Sequence, residues 1–185
     1  CSRSMAEAEA TGRGYSYDAY ATLLRDHVND SGRVDYRGLQ RNRSGLDQFT
    51  AQMATLDPFV FAGWSEKKKM AFWINAYNAL TLKAVVDHYP VGSIKDIGNI
   101  VKSVWDKLKF RVMGRDLTLN QIEHSILRVE FAEPRIHMAI NCASIGCPPL
   151  LPEPFTANKL DEQLRKTARE FFADGSRFRI DRKEK

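Results

Sequence analysis

The stretch MAFWINAYNALTLKAVV, residues 70–86, decides the fold. It is apolar around nearly its whole circumference, and outside a membrane such a helix is buried on every side. Ser65 is placed to cap it and Glu66 sits in its first turn, where a carboxylate suits the dipole. The helix ends by Tyr89-Pro90, because the residue before a proline avoids the α region. The charge-free part, Met70 to Leu82, is well short of the ~20 apolar residues that cross a bilayer, so a transmembrane span is excluded within this chain. The rest of the domain has to wrap this helix.

Working towards the N-terminus, Leu46, Phe49, Met53 and Leu56 recur at helical spacing and stop before Asp57-Pro58. Tyr17, Tyr20, Ala21, Leu24 and Val28 mark another amphipathic helix over about 17–29. Between the two, Asp30-Ser31-Gly32 is a turn, and Val34 and Tyr36 alternate in a short extended piece. Residues 1–14 are small, polar and aperiodic, a flexible segment ahead of a single domain over 15–185.

Working towards the C-terminus, residues 91–108 are helical but irregular, and Phe110 and Val112 alternate into a Met113-Gly114-Arg115-Asp116 turn that predicts a hairpin. Thr118 and Gln121 have the capping-box spacing, opening a helix to about 130. Residues 135–141 alternate, which predicts a strand with Ile136, Met138 and Ile140 on one face and His137, Ala139 and Asn141 on the other. A loop rich in Pro, Gly and Cys follows over 142–154. A last helix is expected from Thr156 to Ala173, stopped by Asp174-Gly175, with a final strand over 177–181. Helices early and strands late predict an α+β fold, with helices packed on a small, mostly antiparallel sheet carrying 135–141 and 177–181. A helix ahead of strands bearing Cys and His is loosely analogous to cysteine-protease and transglutaminase architectures.

The 185-residue chain fits one domain that buries enough surface to need no staples. The net charge is +5, but the charges are interleaved, and only Lys67-Lys68-Lys69 and the tail 177–185 are locally basic. The lysine run reads as a solvated turn, and nucleic-acid binding is not supported. Three cysteines, Cys1, Cys142 and Cys147, do not make a disulfide framework. Cys1 is either an acylated lipoprotein cysteine, giving the one route to a membrane, or an arbitrary chain boundary.

Two constellations carry chemistry. On the 118–130 helix, Leu119, Ile122, Ile126 and Val129 span one arc with Leu127 extending it, and Glu123 falls inside that arc while His124 points to its margin. A carboxylate there must be hydrogen-bonded, paired or protonated. The bland partner is Arg128 or Arg135; the functional alternative is an acid or orienting group. The second constellation puts His137 on the expected strand and Cys142 where strand yields to loop. A Cys thiolate, a His base and a carboxylate or amide to orient it suffice for acyl transfer. His137 and Cys142 are about 16 Å apart if extended, so His124 competes as the base, and Glu123 or Asn141 would orient whichever acts. Alternatively Cys142 is a small buried hydrophobe, or pairs with Cys147 in an oxidising compartment. The spacing His-x4-Cys-x4-Cys matches no usual zinc pattern, and no phosphate loop, GxSxG elbow or HExxH occurs, so neither a metal nor a cofactor is expected. Asn75 and Asn78, three apart on the central helix, either pin a loop or line a pocket. Trp64, Trp73, Tyr77 and Trp105 read as core aromatics, and His27 and His88 as solvated or satisfied histidines.

Three ordered motifs give a resemblance: Phe72-Trp73-Ile74-Asn75-Ala76-Tyr77-Asn78-Ala79-Leu80-Thr81; Leu117-Thr118-Leu119 with Ile122-Glu123-His124 and Ile126-Leu127-Arg128; and Arg135-Ile136-His137 with Asn141-Cys142-Ala143-Ser144 and Gly146-Cys147-Pro148. Over about residues 17–182 the chain resembles the domain-of-unknown-function 547 family. The resemblance implies no activity. It implies a bacterial cell-envelope location, periplasmic or lipid-anchored at Cys1, because bacterial members are commonly exported. Members usually continue past the final strand with another hydrophobic segment, so a chain ending at Lys185 is expected to lack part of a sheet or site. The leading expectation is a thiol-dependent hydrolase or acyl transferase acting on amide or ester bonds. In it Cys142 is the nucleophile, His137 or His124 the base and Glu123 the orienting group, supported by Asn75, Asn78, Asn141 and Arg128. The alternative is a non-catalytic envelope binding or scaffolding module with a Cys142–Cys147 disulfide.

Overall fold

The central helix forms because Ser65 caps it: its hydroxyl accepts from the Lys68 amide at 3.3 Å, and the helix then runs Glu66–Asp87. From Met70 to Leu82 every residue is buried, as its all-round apolar surface requires. In a computed structural model that describes residues 15–98, 103–144 and 146–175, the other elements pack round this helix, α5. The layer on one side comprises α1 (Asp18–His27), α2 (Tyr36–Arg41), α3 (Ser44–Thr55) and the short α4 (Pro58–Ala62). Tyr20 of α1 stacks on Phe49 of α3 with ring centroids 4.4 Å apart. The turn between α1 and α2 is closed by Asn29, whose Oδ1 accepts from the amides of Ser31 and Arg33, and Val28 bridges Val34 antiparallel. Val34 is therefore extended, but the expected extended piece ends there: Asp35 caps the amide of Gly38 at 3.0 Å and Tyr36 begins a helix.

After α5 come a 3-10 turn (Ile94–Ile97), α6 (Val104–Lys107) and the hairpin β1 (Phe110–Val112) and β2 (Arg115–Leu117), with Phe110 opposite Leu117. Met113 and Gly114 both have positive φ, 49° and 73°, the backbone of a two-residue hairpin turn. Their amides donate to the carbonyls of Met53 and Ala54 at 2.8 and 3.0 Å, which docks the turn on the end of α3 and satisfies its orphan acceptors. Helix α7 spans 119–130, and α8 (Leu160–Ala173) closes the described chain. The α+β class holds, with helices dominating and one two-stranded antiparallel sheet among the described residues.

Two further elements differ from expectation. Residues 135–141 are not a strand: Pro134–Met138 is a 3-10 turn. Glu133 accepts from the Arg135 amide at 3.0 Å, and Pro134 supplies a preset φ at the first position, so the chain is turned before it can extend. Burial at Ile136 and Ala139 then follows a period of three, which the apolar alternation of the sequence mimics. The last helix starts at Leu160 rather than Thr156, because the Thr156 amide donates to Gln163 Oε1 at 3.0 Å and 156–159 form a turn. The expected strand 177–181 lies outside the described residues. With His137 on a helical turn, the cysteine-protease and transglutaminase analogy finds no support.

Candidate functional site

The polar cluster is built on α7. Thr118 and Gln121 form the reciprocal capping box: the Gln121 amide donates to Thr118 Oγ1 at 3.1 Å and the Thr118 amide to Gln121 Oε1 at 2.9 Å. The next six residues, Ile122–Leu127, widen into a π-helical turn, and the Arg128 amide reaches back five residues to the Glu123 carbonyl. On a regular α-helix positions 123 and 128 would diverge by about 140°. The π turn brings them to one side, and Arg128 Nη2 donates to Glu123 Oε1 at 3.3 Å.

His137, on the 3-10 turn after α7, completes the group. Arg128 Nη2 also lies 3.3 Å from His137 Nδ1; a guanidinium only donates, so Nδ1 accepts and a neutral imidazole carries its proton on Nε2. Glu123 Oε1 is 3.8 Å from His137 Nδ1 and 3.9 Å from His124 Nε2. The Glu123 side chain is only 15% exposed, against 51% for Arg128 and 60% for His137, so a nearly buried carboxylate backs two accessible cationic or polar groups. Tyr77 of α5 faces the carboxylate from below: burial foremost, then the charge and hydrogen bonding of Glu123, hold its phenol well above the usual range, while a hydrogen bond from Trp105 acts the other way. Tyr77 and Trp105, taken from the sequence as core aromatics, thus join the site. The phenol and indole N–H are polar handles on otherwise apolar bodies, which is the one signal that marks them.

Glu123, Arg128 and His137 form the polar edge of a cleft of about 400 Å3. Its apolar wall comes from Leu127, Phe131, Ile136 and Ile140. Arg135, the other candidate partner for Glu123, is engaged elsewhere: it donates to Glu133 at 2.8 and 2.6 Å and to Asp161 at 2.9 Å. Those hydrogen bonds hold the Glu133 carboxyl below its ordinary value.

Cys142 and Cys147 are joined as a disulfide with Cα atoms 6.0 Å apart, and Cys142 is not on the cleft wall. Cys147 borders a separate hollow of about 420 Å3 beside Val34, Tyr36 and Asn141. The two asparagines of α5 pin loops. Asn75 exchanges two hydrogen bonds with the Phe155 backbone, at 2.8 and 2.9 Å. Asn78 donates to the Ala139 carbonyl at 3.0 Å and accepts from the Asn141 amide at 2.8 Å, which ties the His137 turn and the disulfide loop to the central helix. Asn141 itself donates to the Pro148 carbonyl at 2.7 Å and accepts from the Ala143 amide at 2.8 Å, bracing the disulfide loop rather than orienting an imidazole. So the structure brings together Glu123, His124, Arg128 and His137, and leaves Cys142, Asn75, Asn78 and Asn141 to hold the frame.

Among the described residues no group of three or more His, Cys, Asp or Glu side chains is arranged to hold a metal ion, and no helix is long and apolar enough to cross a membrane. No curated protein and no solved structure matches the chain. The family model described as "Protein of unknown function, DUF547" matches residues 61–172, which include α5, the capping box, the Glu123–Arg128–His137 group and both loop cysteines, and the chain belongs to that family.

Proposed function

We propose that this domain is a binding module, with the Glu123–Arg128–His137 cleft as its ligand site, rather than a thiol hydrolase. The observation that carries the reading is the Cys142–Cys147 bond. A nucleophilic sulfur has to be a free thiolate near its base. Here the sulfur is engaged with its neighbour, while the histidine and carboxylate meet in a cleft that Cys142 does not border.

The cleft suits a small ligand with an anionic group on an apolar body. Arg128 Nη2 is held between Glu123 and His137, which orients the guanidinium; Nε and Nη1 have no protein partner among the described residues and are left to grip a carboxylate or phosphate. The wall of Leu127, Phe131, Ile136 and Ile140 takes the apolar part. A disulfide persists in oxidising compartments, so the module is proposed to work in the cell envelope.

The test is titration with hexanoate, with hexylamine as the opposite-charge control, followed by heteronuclear NMR. Hexanoate is expected to shift the amides of Leu127, Arg128 and Ile136 and hexylamine is not, and Arg128→Gln is expected to remove the response. Equal shifts with both probes, or no shifts, contradict the reading. Turnover of a fluorogenic ester that Cys142→Ser abolishes overturns it in favour of the thiol hydrolase.

A further inference from the structure

On the opposite kind of surface from the cleft, the short helix α4 carries Phe59 at 89% exposure, the most exposed of the large hydrophobic side chains described. The tip is held firmly: Pro58 occupies the first helical position and Asp57 Oδ1 accepts from the Phe59 amide at 2.8 Å. Behind it Phe61 and Trp64 are half-buried, their ring centroids 5.5 Å apart, so the protruding ring sits on an aromatic base.

Two residues of the lysine run lie against these rings. Lys68 Nζ lies 4.2 Å from the Trp64 ring centroid and Lys69 Nζ 5.7 Å from that of Phe61. Lys67, Lys68 and Lys69 form no salt bridge among the described residues. They occupy the first turn of α5, where cations oppose the helix dipole. The ring contacts of Lys68 and Lys69 offset part of that cost, and no carboxylate neutralises any of the three among the described residues. An exposed aromatic side chain near ammonium groups that lack carboxylate partners is an arrangement that seats a protein on an anionic bilayer, the ring at the headgroup level and the lysines against phosphates.

We propose that the Phe59 tip, with Trp64 and Lys67–Lys69, docks the domain on an anionic lipid surface. A lipid surface, rather than an acidic protein, is the occupant that a single projecting ring fits, because insertion at the headgroup boundary needs no complementary pocket. The proposal does not depend on the cleft or on Cys1.

Co-sedimentation of the whole chain with vesicles of phosphatidylcholine, alone or with a third of phosphatidylglycerol, tests it. Binding is expected only to the anionic vesicles. Phe59→Ala, which alters a side chain outside the core, is expected to lower the partition coefficient about tenfold or more, and replacing Lys67, Lys68 and Lys69 by Gln to abolish binding. Thermal melts confirm that both variants fold. Failure to bind either vesicle, equal binding to both, or undiminished binding by Phe59→Ala overturns the proposal, as does capture of an acidic polypeptide by this face while vesicles are ignored.

Discussion

Replacing Asn78 by Ala tests how the cleft is held. Asn78 is 2% exposed, donating at 3.0 Å to Ala139 and accepting at 2.8 Å from Asn141. Truncation leaves the Ala139 carbonyl and the Asn141 amide without these partners. A buried polar group without its partner costs about 1–3 kcal/mol. Ala139 is buried and loses its partner outright, whereas Asn141 is half-buried and water replaces part of its loss, so the expected cost is about 3 kcal/mol. For a chain of this size each kcal/mol lowers Tm by about 2–4 °C, so the melting temperature falls about 6–12 °C. Asn78→Asp sharpens the test. Burial raises the folded-state pKa of a carboxyl, and only its protonated form donates to Ala139. That contribution is present below the unfolded pKa of about 3.9 and disappears as pH rises through the folded value. The deficit of Asn78→Asp relative to the unmodified chain, measured by calorimetry, is therefore smaller at pH 4 than at pH 7. A Tm loss under about 2 °C for Asn78→Ala, or a deficit that does not vary with pH for Asn78→Asp, refutes the bridging role.

Two further outcomes bear on the frame. Arg135 holds Glu133 below its ordinary 4.5, so the pair stabilises the fold fully above that pH and the contribution is lost as pH falls through the lowered folded value. Acid unfolding followed by circular dichroism is expected to show a shallower loss below about pH 4.5 in Glu133→Gln; an unchanged slope counts against the pair. Gly32 has φ of +73°, and an added Cβ would stand 2.4 Å from the Pro149 Cβ, so Gly32→Ala is expected to destabilise by more than the ~1 kcal/mol of the backbone term alone, read as a lower midpoint in urea.

Elements governed by their own residues were legible in the sequence. The all-round apolar 70–86 helix, the Thr118–Gln121 box and the 110–117 hairpin each depend on local periodicity or on a cap within three residues. What escaped depends on context. The turn at 134–138 hides behind an alternating apolar pattern, because a 3-10 turn that buries positions three apart and a strand share several of the same residues. The π turn at 122–127 has no composition signal, yet it is what puts Glu123 beside Arg128. The cysteine pair was legible only as a choice between bridge and nucleophile, since a spacing of five residues permits both until the loop's path is known.

If Cys142 is bonded to Cys147 it is no nucleophile, and alkylating the folded chain with iodoacetamide in the absence of reductant, then mapping the peptides, tests that bond. Cys142 and Cys147 are expected to stay unlabelled and to lie on one tryptic peptide, residues 136–159, that gains two hydrogens and becomes alkylatable only after reduction. Alkylation of Cys142 in the folded, unreduced chain contradicts it.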